Sequence, residues 1–284
     1  STEDAETPAA ENPAGSAGWQ TFQRTAGSAA LAAGRAAMRG ALWTGRKASE
    51  AYHAVDPDAR RHFVHAPLVG IGQLLPGRSP VDPLPDDGRR PVIFVHGMAG
   101  DPGNFYLMRA FFGTMGRTRH YAPSFSGLPS VVEMADALVA YVKQVFEVNG
   151  LPEDAKVDLV AHSQGGIVSR LACLDPAFAR RIHTLVTLGT PHGGTHAARY
   201  AATQQTLDLR PDSPIVQALR TQLPWPGPPE MPRLITLWSD ADLLLLPHDT
   251  AVVDGATPVE MPGFTHLSYL LHPRGLQRVF ALLD

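Results

Sequence analysis

The sequence predicts an α/β fold: a mostly parallel central sheet with helices on both faces, preceded by a helical N-terminal extension and interrupted by a small cap insertion. Three observations carry that prediction. From Pro91 onward, short runs of Val, Ile, Leu and Phe alternate with segments of helical period, as expected of parallel strands joined by helical crossovers. The stretch Val157-Asp158-Leu159-Val160-Ala161-His162-Ser163-Gln164-Gly165-Gly166 passes from an apolar strand through a serine among small residues, and Ile167 to Ala172 follow at helical period. So tight a strand-to-helix turn holds its apical residue in strained backbone and lifts the hydroxyl above the sheet. Finally, 44% hydrophobic and 18% charged residues over 284 positions are ordinary for a globular protein with a full core.

The same figures exclude several classes. A formal net charge of -3 gives no argument for nucleic acid or for a strongly anionic surface. A single cysteine, Cys173, rules out an internal disulfide and sits at helical spacing after the turn, where it reads as a buried small hydrophobe. No uninterrupted apolar run reaches the roughly 18 residues a membrane span needs, and no hydrophobic signal-peptide core is visible. A soluble protein is expected. An initial serine fits both removal of an initiator methionine in the cytoplasm and cleavage of an export signal, so compartment stays open.

Residues 1–18 are rich in Ala, Glu, Pro and Gly without a basic residue, the composition of a flexible tail. From 19 to 90 a helical extension and linker are expected. Trp19, Phe22, Ala26, Ala29, Ala33 and Ala37 recur every three or four positions, with Arg24, Arg35, Arg39, Arg46 and Lys47 between them. That pattern suits a small-residue helix packed on the main body. It also suits a basic amphipathic segment in peripheral contact with a membrane or lipid surface. The packed helix is favoured, because a mainly alanine face buries little area in lipid. Pro76 to Pro91, with repeated Pro, Gly and Asp, marks the linker.

The main domain spans 91–284. Strands are expected at Pro91–Val95, His120–Ala122, Lys156–Ala161, His183–Leu188, Leu234–Trp238 and Thr257–Met261. Helices are expected at Asn104–Met115, Val131–Val148, after the serine turn, and at Pro273–Leu283. Asp101-Pro102 gives the first helix an N-terminal stop. Between about 195 and 232 the alternation breaks, with a short helix after a turn near Pro211 and a rigid Pro224-Trp225-Pro226-Gly227-Pro228-Pro229 loop. An insertion there is a cap or lid over the site, or a surface excursion. In a parallel α/β sheet the chemistry belongs at the carboxyl ends of the strands.

The serine turn reads Ala161-x-Ser163-x-Gly165, and four further stretches accompany it: Phe94-Val95-His96-Gly97-Met98-Ala99-Gly100, Leu188-Gly189-Thr190-Pro191-His192-Gly193-Gly194, Ser239-Asp240-Ala241-Asp242, and Gly263-Phe264-Thr265-His266. In their nature and order they resemble a bacterial lipase or esterase of the α/β-hydrolase fold, from about Pro91 to the C-terminus. Alanine stands where the family usually has the first glycine of the turn. Residues 1–90 lie outside the resemblance.

A serine nucleophile needs a base within hydrogen-bond reach, and that histidine needs a carboxylate to fix its tautomer. In this fold the chain order is serine, acid, histidine. His266 follows the last expected strand and matches the family motif. Of the other histidines weighed, His272 abuts the proline that opens a helix, His248 sits on an exposed loop, His162 is expected to point away from the serine, and His96 serves the oxyanion loop. Among Asp240, Asp242 and Asp249, the Ser239-x-x-Asp242 spacing favours Asp242. Gln164, at a helix N-terminus, supplies one oxyanion amide, and by resemblance Met98 supplies the other. His192 and His196 stand four apart, but glycines break the helix that a metal pair needs; no metal is expected. Phe105, Leu243, Phe264 and Leu267 flank the triad in sequence as candidate acyl-pocket residues, though core packing accounts for them equally well.

The resemblance implies a serine hydrolase of carboxylic esters, with a small-molecule or lipid ester as substrate, an acyl-enzyme intermediate, and no cofactor. The same triad also serves thioesterases, polyester depolymerases and acyltransferases. A reading from another class is a non-catalytic binding module on the same fold. Oligomeric state is not legible.

Overall fold

The computed structural model describes residues 81–284 apart from 201, 223, 224, 226, 228 and 229. The expected tail, and the amphipathic segment with its surface contact, lie outside the described residues. Six strands form one sheet in the order β2-β1-β3-β4-β5-β6, every neighbouring pair parallel. They are β1 (Val92–Val95), β2 (His120–Tyr121), β3 (Val157–His162), β4 (Ile182–Leu188), β5 (Arg233–Trp238) and β6 (Thr257–Glu260).

Parallel strands need crossovers, and the helices that supply them cover both faces. Successive strand residues alternate between two cores. Ile93, Val95, Leu159 and Leu185 pack on one side with α2 (Val131–Val148) and α3 (Gln164–Ala172). Val92, Phe94, Val160 and Val186 pack on the other with α1 (Tyr106–Thr114) and the C-terminal helix. The α2 helix shows why it forms: Ser130 caps it by accepting from the Glu133 N–H at 3.3 Å. Its buried Val131, Met134, Ala135, Leu138, Val142 and Val145 follow the helical period.

The structure refines the expected elements. The helix expected from Asn104 begins instead as a 3₁₀ turn, Pro102–Phe105, which Asp101 caps, before α1. A short α4 (Pro176–Arg180), capped by Asp175, precedes β4 and was not foreseen. The insertion holds a 3₁₀ turn (His196–Tyr200), α5 (Gln204–Asp208) and α6 (Pro214–Gln222). It is tied down at α2, where Asp208 accepts from the Val131 N–H at 3.0 Å. The chain ends in α7 (Ser268–Leu271) and α8 (Pro273–Leu282). The described end of the linker is packed: Leu84 donates its N–H to Asn149 at 3.1 Å, and Tyr121 reaches the Asp82 carbonyl at 3.2 Å.

At the amino end of the sheet, away from the serine turn, Asp158 is fully buried and receives Arg117 at 2.6 Å and Arg90 at 3.1 Å. Arg90 also donates to the Leu283 carbonyl at 2.8 Å, which fastens the end of α8 to the sheet.

Candidate active site

Ser163 sits between β3 and α3 with φ 55° and ψ -128°. Among the described residues, only Ala99 shares a positive φ without being glycine. Such backbone costs on the order of 1–3 kcal/mol and persists only where the surroundings impose it. Here the constraints are explicit. The Ser163 N–H donates to the Leu188 carbonyl at 2.9 Å, and its carbonyl accepts from Gly166 N–H at 3.0 Å and Thr190 Oγ1 at 2.8 Å. The small residues are required by close approach. A side chain on Gly165 would strike the backbone of Val95 and His96, and one on Gly166 would strike Thr190. Ala161, standing in place of the usual glycine, is fully buried.

The loop after β1 comes up to the serine from the other side. Gly100 N–H donates to Gly97 O at 3.0 Å, closing a tight turn with Met98 and Ala99 at its tip, Ala99 at φ 52°. His96 braces it: Phe125 N–H donates to Nε2 at 3.2 Å, so Nδ1 carries the proton and donates to Gly97 O at 3.0 Å. Burial lowers the His96 pKa, which keeps that ring neutral. The Gln164 N–H belongs to the first turn of α3, where the helix provides no acceptor. The Met98 side chain is exposed at the rim.

Asp242 follows β5 and is fully buried. Its carboxylate accepts from the Leu244 N–H at 3.0 Å and meets His266 Nδ1 at 3.0 and 2.9 Å through its two oxygens. A carboxylate this close fixes the proton on Nδ1 and leaves Nε2 as the basic nitrogen. Gly189 is the hub of the arrangement. A Cβ on it would lie 2.8 Å from Asp242 Oδ2, 2.8 Å from Tyr269 Cε2 and 3.3 Å from His266 Nδ1, and its φ is +56°. Tyr269 is buried beside the acid. Its pKa is raised well above the ordinary value, first by burial and then by the Asp242 and Asp240 charges, so the phenol stays protonated.

His162, expected to point away from the serine, is bonded to the His266 segment. Its Nε2 lies 2.8 Å from the His266 carbonyl, and the two rings are 4.7 Å apart at 50°. The loop of the predicted base is thereby bonded to the residue immediately before the predicted nucleophile. Thr195 has a similar linking role. It donates to the Leu244 carbonyl at 2.8 Å and accepts from Leu246 N–H at 3.2 Å, pinning the loop that follows Asp242 to the start of the insertion. No local sequence signal marks either residue for these contacts.

Two of the candidate pocket residues are placed in the core. Phe105 packs 5.1 Å from Phe94, and Phe264 packs 5.7 Å from Tyr269; both are fully buried. Core packing, which the sequence left open, accounts for them. Leu267 is partly buried against the same core. Leu243 is the exception, 57% exposed on the loop that follows Asp242, with Leu244 beside it. His192 is buried and neutral, its pKa well below the ordinary value because of burial and then Arg170. Arg170 donates toward Nδ1 at 3.4 Å, so Nε2 carries the proton and donates to Thr187 Oγ1 at 3.0 Å. Both ring nitrogens are thus engaged by the protein. A cavity of about 670 Å³ lies behind this loop, lined by Arg170, His192, Arg220, Trp225 and Thr250 among others, and it includes none of Ser163, Asp242 or His266.

The same architecture occurs in the crystal structure of mature Bacillus licheniformis lipase BlEst2, with a TM-score of 0.58 at 18% identity over 74% of this chain and 99% of that one. The chain has the α/β-hydrolase fold. Aspergillus fumigatus lipase B shares this hydrolase fold at a TM-score of 0.56 and 16% identity, over 67% of this chain and 51% of the other. A family model described as a PGAP1-like alpha/beta domain matches residues 118–208, from β2 through the serine turn to α5. In sequence, the chain is 33% identical over 146 residues to a triacylglycerol lipase of Burkholderia plantarii. It is 34% identical over 121 residues to one of Pseudarthrobacter phenanthrenivorans. These matches span 47% and 39% of this chain, and only 39% and 36% of the relatives' own lengths.

Proposed function

We propose that the protein is a serine hydrolase of carboxylic esters, with Ser163 as nucleophile, His266 as general base and Asp242 as its orienting acid. The observation that carries this reading is the buried Asp242 carboxylate 2.9 Å from His266 Nδ1, in a loop bonded to the shoulder of a strained serine turn. Serine becomes nucleophilic only when a base takes its proton in the attack. His266 Nε2 accepts that proton, and Asp242 balances the imidazolium that results. As the carbonyl carbon becomes tetrahedral, negative charge collects on its oxygen. The Gln164 amide, aided by the α3 dipole, and the Met98 amide stabilise it. The protonated histidine then gives its proton to the departing alkoxide. Water, deprotonated by the same nitrogen, attacks the acyl-enzyme, and collapse releases the acid and restores Ser163. The steps need no metal or cofactor.

The catalytic domain in this reading is 91–284, with 195–232 as a cap. The insertion's place beside the turn supports the cap: the Gln164 side chain reaches the Gln205 carbonyl, and Gln205 donates to Leu128 O at 2.9 Å. A lipid-like acyl ester is the favoured substrate. Its support is the naming of both bacterial relatives as triacylglycerol lipases and the exposed Leu243 and Leu244 on the acid loop. The test is labelling by a fluorophosphonate probe, together with hydrolysis of p-nitrophenyl esters of increasing chain length. Both signals are expected in the wild type and absent in Ser163→Ala. A folded wild-type chain that resists the probe removes the proposal in favour of a binding module.

A further inference from the structure

His162 is a buried imidazole that the proposed mechanism leaves unused. It is 4% exposed, stands at the last position of β3, and faces the His266 loop across 104 residues of sequence. Its Nε2 is 2.8 Å from the His266 carbonyl oxygen. Carbonyl oxygens only accept, so Nε2 must carry the hydrogen, and the ring is the Nε2–H tautomer. Its ring also meets the His266 ring at a tilt of 50°, with centroids 4.7 Å apart. The base is therefore held at two points: Asp242 fixes its imidazole, and His162 fixes the backbone from which that imidazole projects.

We propose that His162 is a positioning residue for the catalytic base: its Nε2–H clamps the His266 backbone to the nucleophile turn, and its neutral ring forms the wall beside the His266 imidazole. This deepens the hydrolase reading and rests on it. The geometry explains why the element that carries the nucleophile also carries the clamp. Ser163 and His162 are consecutive, so any movement of the turn moves both the hydroxyl and the anchor of its base together. The charge state matters as well. His266 becomes an imidazolium during turnover, and a second cation 4.7 Å away would oppose it. The surroundings keep His162 uncharged. Burial, then the nearby His266 and His96, bring its pKa down to about 3.

The experiment has a spectroscopic and a kinetic arm. Long-range ¹H–¹⁵N spectra of the wild-type protein are expected to show His162 as the Nε2–H tautomer, neutral down to about pH 5. A Nδ1–H tautomer, or a ring that titrates like an exposed histidine, overturns the clamp without any variant having to fold. In the kinetic arm, His162→Ala is expected to lose roughly 10²-fold in kcat with KM little changed, the cost of a base displaced by a fraction of an ångström to an ångström. His162→Gln, whose terminal amide can donate to the same carbonyl, is expected to recover most of that loss. Wild-type kcat in both variants, a loss confined to KM, or a folded Gln variant as slow as Ala would each overturn the proposal. Fluorophosphonate labelling of the wild type separates the two levels. Failure to label overturns the hydrolase reading and this role with it, whereas a labelled enzyme with the wrong His162 tautomer overturns the clamp alone.

Discussion

Gly97 stands so close to Ser163 that a methyl group on its Cα would lie 2.8 Å from the serine Cβ and 3.3 Å from its Oγ. The third neighbour is the His162 carbonyl at 3.0 Å, which is backbone and cannot swing aside. Gly97→Ala therefore has to push the loop after β1 away from the hydroxyl. A displacement of that size is expected to reduce kcat by roughly 10²-fold and stability by about 1–3 kcal/mol. Ester hydrolysis and denaturant melts of the variant check both numbers; full activity would mean that the loop does not meet the serine in catalysis.

The two glycines after the serine are predicted to differ in how they can be rescued. All three nearest atoms to a Cβ on Gly166 belong to the Thr190 side chain, whereas those around Gly165 are backbone atoms of Val95 and His96. Gly166→Ala should be destabilising alone and substantially restored by adding Thr190→Ala, with a coupling of about 0.5–3 kcal/mol. Gly165→Ala has no side chain to remove and should stay destabilised in the Thr190→Ala background. Equal rescue of both would contradict the assignment.

Asp242→Asn keeps an acceptor for the Leu244 N–H but presents an amide N–H₂ to His266 Nδ1. The ring then favours the tautomer whose Nε2 is protonated and unable to act as base. A fall in kcat of about 10⁴-fold is expected on the precedent of other serine triads, with the melting temperature changed far less. If Asp240→Asn produced that fall and Asp242→Asn did not, the acid would be misassigned.

At the opposite end of the sheet, Asp158→Ala leaves Arg117, 1% exposed at its side chain, without its 2.6 Å partner. Among the described residues, only the half-exposed Asp284 carboxylate, 3.7 Å from Nη1, then remains for it, and breaking a buried pair costs about 3–5 kcal/mol. Because this pair lies at the base of the strands, the predicted loss is in stability, read from urea melts, while kcat per folded molecule stays near wild type.

Acid should weaken the fold through its buried neutral histidines. His162 drops from an ordinary value of 6.5 to about 3, His120 to about 4, and His192 falls well below 6.5, in each case chiefly by burial. Between those values and 6.5 the unfolded chain binds the protons and the native state does not, so stability is present above pH 6.5 and lost as pH falls. Each such ring contributes a slope of up to about 1.4 kcal/mol per pH unit in that window. Urea midpoints between pH 7 and 4.5 are expected to decline, and less steeply in His162→Gln. A flat profile would show that these rings are not held neutral.

The order of strands and helices and the serine turn were legible because each depends on local chain properties. Apolar period distinguishes strand from helix within a few residues, and the run Ser163-Gln164-Gly165-Gly166 announces a junction too tight for larger side chains. The short α4 and α7 were missed because helices of five and four residues carry too little periodicity to register.

What the tertiary structure decided lies in contacts between distant segments. The sequence alone could not say whether Phe105 and Phe264 line a pocket or fill the core, because an aromatic side chain suits either; the packing against Phe94 and Tyr269 places both inside. Nor could it foresee that His162 bonds to the His266 backbone, or that Thr195 holds the loop that follows Asp242. A side chain's rotamer and partner are set by which surfaces the fold brings opposite it, and sequence spacing carries no information about surfaces that meet only after the sheet has formed.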